Sequence, residues 1–155
     1  MPGLLALTLC LAFAGSSYAA GPGTTTVCLR FTTTRSSVES AIGQETIIRA
    51  HLKKLNSTLY AYSGTQLYTP AGWNPQVCSG TGLMEGNVLV IKAKVTQNST
   101  NGVFHESGIA MTSLNFSNPK EVKGSFALIG TEAAPSRHIT ESFWTDGAVA
   151  VVSCP

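Results

Sequence analysis

His51, His105 and His138 are the chain's only imidazoles, and imidazole is the side chain best placed to move protons near neutral pH. His105 and His138 fall among strand-like segments. Glu106, Glu141 or Lys92 could complete a general acid–base site around them, the chemistry of a secreted His-dependent hydrolase or nuclease. The spacing carries no further signature. The residue two before Ser107 is His105 and not Gly, so there is no nucleophile elbow. His105-Glu106 runs on into Ser-Gly-Ile, so there is no HExxH. No CxxC pair, phosphate loop or acidic calcium loop follows, and eight scattered acidic residues propose no metal site and no cofactor.

Aromatic residues offer a different chemistry. Trp73 lies in a Gly- and Pro-rich stretch, and Tyr60, Tyr62 and Tyr68 flank it. These four are the candidate ligand-binding residues, because pockets are mostly apolar with a few polar groups. Trp73, between Gly72 and Asn74-Pro75, reads as an exposed recognition anchor. Phe104, Phe143 and Trp144 read as core. Gln76-Val77-Cys78-Ser79-Gly80 is similar to the QxVxG hairpin of cystatins, but Cys78 stands where that motif has Val, and no activity is carried over from five residues.

Residues 1–19 have the layout of a signal peptide. Met1 to Ala20 holds no charged side chain, an apolar run spans Leu4 to Ala14, and Ser17 and Ala19 supply the small pair that cleavage needs. That run is about half of the roughly 20 apolar residues a spanning helix requires. Residues 20–155 are then one secreted, extracellular, β-rich domain with no membrane span. Its net charge of +2 is too weak to argue for nucleic acid. Only 12% of residues are charged, and three sequons, at Asn56, Asn98 and Asn115, are candidate glycosylation sites.

Three cysteines follow the signal: Cys28, Cys78 and Cys154. An oxidising compartment favours one internal disulfide and one leftover thiol. Three pairings are open. A bond that includes Cys154 is expected, because it would hold a chain end that otherwise frays. The leftover thiol is either buried or bridges to a second chain in a disulfide-linked dimer.

The elements that must position these groups alternate along the chain. Val27, Leu29 and Phe31 share one face of a strand. Ser36 to Glu39 forms a capping box, which predicts a helix ending near Gly43 or running to about Leu55. Against the longer helix, Ile48, Ala50 and Leu52 also alternate as a strand would. Ser63-Gly64-Thr65 reads as a turn between two short strands, and Pro70 to Gly86 as an irregular loop. Val88 to Val95, Val103 to Phe116 with a break near Gly108, Gly124 to Gly130 and His138 to Thr145 read as strands. Asp146-Gly147 reads as a hairpin turn before a last strand. The expected fold is mostly antiparallel β, a barrel or sandwich with one N-terminal helix. The alternative is α+β, with a helix packed on an antiparallel sheet. The expected function is a secreted non-catalytic binding protein for a small apolar ligand or an extracellular protein partner. The alternatives are the hydrolase or nuclease above and a structural coat component.

Overall fold

The computed structural model describes residues 23–155; the expected signal peptide lies outside them. Eight strands follow one another: β1 (Thr24–Ser36), β2 (Glu45–Lys54), β3 (Leu59–Gln66), β4 (Val77–Glu85), β5 (Val88–Asn98), β6 (His105–Asn115), β7 (Lys123–Ala134) and β8 (Ile139–Val152). Each pairs antiparallel with its sequence neighbour, and β8 pairs with β1, so the sheet closes into an up-and-down barrel without a free edge. The mostly antiparallel β expectation holds, in its barrel form.

Closure follows from the period-2 pattern. Val27 and Leu29 on β1, Ile48, Ala50 and Leu52 on β2, Leu89, Ile91, Ala93 and Val95 on β5, and Val149 on β8 are all buried and in phase. A one-residue slip would turn each set to solvent. At one end, Leu29, Leu89 and Leu114 pack with Phe116 and Val122 from the β6–β7 connection into a filled core. The β1–β8 seam is held by the Cys28–Cys154 disulfide and, on the outside, by Arg35, whose Nε and Nη2 donate to the Asp146 carboxylate at 3.0 and 2.7 Å. The expected bond to Cys154 is therefore present, with Cys28 as its partner.

The N-terminal helix is corrected. Among the described residues the only helical turns are two 3-10 turns, Glu39–Ala41 and Pro135–Arg137. The Ser36 hydroxyl accepts from the Val38 amide at 3.0 Å and not from Glu39. Gly43, at φ +82°, reverses the chain into β2. The capping box had one turn to act on, while the inward row Ile48, Ala50 and Leu52 had a barrel core to fill; burial outweighs a local preference of a few tenths of a kcal/mol per residue.

Two glycine readings are also corrected. Gly64 is not in a turn; it lies inside β3 opposite Ala50 and Cys78. A Cβ there would come 2.6 Å from Ile48 Cγ2. Gly147 lies mid-strand in β8, opposite Thr33 and Phe126, where a Cβ would overlap the Thr32 carbonyl. Both glycines serve close approach between neighbouring strands. Likewise Val77–Glu85 is strand β4, so the irregular stretch is shorter than expected, and β6 runs through Gly108 unbroken.

Candidate functional site

The end of the barrel opposite the filled core is hollow. A cavity of about 640 Å³ runs down from it, within the range of small-molecule sites. Its walls are apolar, with Phe31, Ile48, Ile91, Ala110, Phe126 and Leu128 among them. Its mouth is polar and is framed by the β1–β2, β3–β4, β5–β6 and β7–β8 connections.

One row of the mouth is acidic. Gln97 pairs with Glu106, Glu106 with Glu132, and Glu132 with Glu141, across β5, β6, β7 and β8. All four line the cavity. Burial, and then the hydrogen bond and charge of Glu132, push the Glu106 carboxyl up to about 7. The lining holds three carboxyl groups and no Lys, Arg or His, and the three ion pairs among the described residues lie elsewhere.

Against the Gln97 end of this row lies a braced loop between β3 and β4. Asn74 N–H donates to the Asn98 carbonyl at 2.8 Å, Thr100 N–H to the Gly72 carbonyl at 2.9 Å, and Trp73 bridges to Ser99. Gln97 Nε2 donates to the Asn74 carbonyl at 2.9 Å and to Gln66 Oε1 at 3.3 Å. Trp73 is half-buried, with its ring 6.3 Å from that of Phe104, over which the Arg137 guanidinium sits at 5.5 Å. The freely exposed anchor read from sequence is thus corrected to a pinned side chain at the cavity's edge.

The other candidate aromatics separate. Tyr62 is buried and lines the cavity beside Cys78. Tyr60 packs against the core outside the lining. Tyr68 is 62% exposed and takes no part. Phe143 faces inward into the cavity. Trp144, expected in the core, stands on the outer wall at 45% exposure, in register with exposed Ile129 and Ile109. Cys78 is the leftover thiol. It is buried inside the barrel, where burial pushes it up to about 11 against the partial offset of a hydrogen bond to Tyr62. A thiol enclosed by the wall presents no surface for a bridge to a second chain.

The histidines are not gathered at the cavity. His51 Nδ1 lies 2.9 Å from Thr26 Oγ1 and His105 Nδ1 lies 3.0 Å from Asn98 Oδ1, both exposed. His138 ends a 3-10 turn in the left-handed region at φ 56°, and Lys92 is exposed. Among the described residues no group of three His, Cys, Asp or Glu side chains is arranged to hold a metal ion, and no helix is long and apolar enough to cross a membrane. Asn56, Asn98 and Asn115 are all exposed.

The acidic row escaped the sequence reading, although its phase was visible. Glu106 is in step with Ala110 and Leu114, Glu132 with Phe126 and Leu128, and Glu141 with Phe143. A carboxylate in phase with an apolar face marks an inward charge. No family model, no curated protein and no solved structure matches the chain.

Proposed function

We propose that this protein is a non-catalytic binding protein that holds a small, mostly apolar ligand inside its barrel, and that it works outside the cytosol. The observation that carries this reading is the cavity of about 640 Å³, with largely apolar walls and a polar mouth. An eight-stranded barrel is just wide enough to be filled by its own side chains or to hold one small ligand; this one is filled at one end and hollow at the other. Braced connections around the mouth support a preformed site, which lowers the ordering cost of binding. The Cys28–Cys154 bond supports an oxidising compartment. The hydrolase reading has less support, since no histidine lines the cavity.

The test is titration with Nile red, a neutral apolar dye. Saturable fluorescence at one dye per chain is expected. Ala110 lines the cavity opposite Ala93, so Ala110→Leu should weaken binding and Ala110→Phe should abolish it, with circular dichroism confirming the fold. No saturable binding, or equal binding by folded Ala110→Phe, would overturn the proposal.

A further inference from the structure

The cavity is chemically polarised along its axis. Three carboxyl groups face inward at the mouth, from β6, β7 and β8, with no basic side chain in the lining to neutralise them. The nearby charged groups point elsewhere: Arg137 lies over the Phe104 ring, and His105 on β6 turns outward to Asn98. Opposed side chains on neighbouring strands stand about 5 Å apart, so the row spreads over roughly 10 Å. That spacing suits a diffuse organic cation better than a metal ion, in keeping with the absence of a metal-ligand cluster among the described residues.

A second, independent observation lies at the other end of the cavity. Thr112 is only 5% exposed and lines the cavity, and its hydroxyl bonds no described group. The hydroxyl opens onto the cavity and meets no described protein group there, so it offers a hydrogen-bonding point to whatever fills the cavity. Thr112 and Glu106 share the inward face of β6. Six residues of strand at the tilt of a closed barrel place them about 15 Å apart along the axis.

We infer that the ligand is a cationic amphiphile, with its positive head on the Glu106–Glu132–Glu141 row, an apolar body in the barrel and a hydrogen-bonding atom at the end that reaches Thr112. The inference rests on the barrel-binding reading above. Trp73 and Phe143 in the lining add aromatic faces that attract quaternary ammonium groups. Because Glu106 is pushed up to about 7, raising the pH through that value completes the negative charge of the row, and a permanently charged cation binds more tightly on the alkaline side.

The experiment displaces Nile red with dodecyltrimethylammonium, dodecanol and dodecyl sulfate, each below its micelle concentration. The cation should displace the dye at a concentration about tenfold or more below the alcohol, and the sulfate should be weakest. In the triple variant Glu106→Gln, Glu132→Gln, Glu141→Gln, with each displacement referred to that variant's own Nile red affinity, the cation should lose its preference over the alcohol. The ω-hydroxy analogue of the cation should bind more tightly than its parent, and Thr112→Val should remove that gain. If Nile red itself fails to bind, the barrel reading falls. If Nile red binds but the cation is no better than dodecanol, or its preference survives in the triple variant, the cationic head is wrong. If the ω-hydroxy group brings no gain, the pairing with Thr112 is wrong.

Discussion

The two ends of this barrel are built from the same eight strands and put to opposite uses. At the filled end, Leu29, Leu89 and Leu114 are essentially inaccessible and the disulfide ties the first strand to the chain beyond the last. At the hollow end, the same inward face carries Gln66, Gln97 and three glutamates. Such a row gives up hydrophobic stabilisation and places like charges side by side, which weakens a sheet. The contrast teaches that fold stability is concentrated at one end, which frees the other to hold groups that would destabilise a packed core.

The largest expected effect falls on the filled end. Replacing the bridge with Cys28→Ser and Cys154→Ser releases a loop closed over 126 residues and should cost about 4–5 kcal/mol in a denaturant titration. A loss below about 1 kcal/mol would break the comparison. The two tryptophans sharpen it at an intermediate scale. Trp73→Ala removes a half-buried ring packed against Phe104 and should cost about 2 kcal/mol. Trp144→Ala changes the outer wall and should cost less than about 1 kcal/mol. The reverse order in the same titrations would return Trp144 to the core.

The last expected effect is a slope with pH and not a fixed loss at one pH. Glu106 is held above its ordinary range, so the folded state keeps a proton that the unfolded state has released between about pH 4.5 and 7. Its contribution to stability is complete at the acid end of that window and is lost as pH rises through about 7. Glu106→Gln should flatten this decline in a series of thermal melts from acid to neutral pH. An unchanged slope would show that the carboxyl is not perturbed in the folded state.

Much of the fold was legible because alternation is a strong signal when one face is buried. The strands Val27 to Phe31 and Val88 to Val95 could be read directly. The failures share a cause. Gly64 and Gly147 carry turn chemistry in their local sequence, but close packing against neighbouring strands decided their use. The Ser36 capping box was a local preference with no helix to serve. Phe143 and Trp144 are adjacent, so only one can face inward, and sequence alone did not say which; Phe143 does. In the candidate site, Tyr62 and Trp73 could be found as aromatics near an irregular loop. The glutamate row was legible only in part: each glutamate falls in phase with an apolar face, but that the three stand side by side follows from the register of β6, β7 and β8.

The seam between β1 and β8 has a consequence in time. Every other pairing joins strands adjacent in sequence, so each hairpin can form soon after its second strand is made. Strand β1 finds its other partner only across the 126 residues that separate Cys28 from Cys154, roughly 6–25 s of synthesis at ordinary rates. Through that interval one edge of the growing sheet is open to pairing with any other extended chain. Completion of β8 ends that exposure, and oxidation of the cysteines makes the closure permanent.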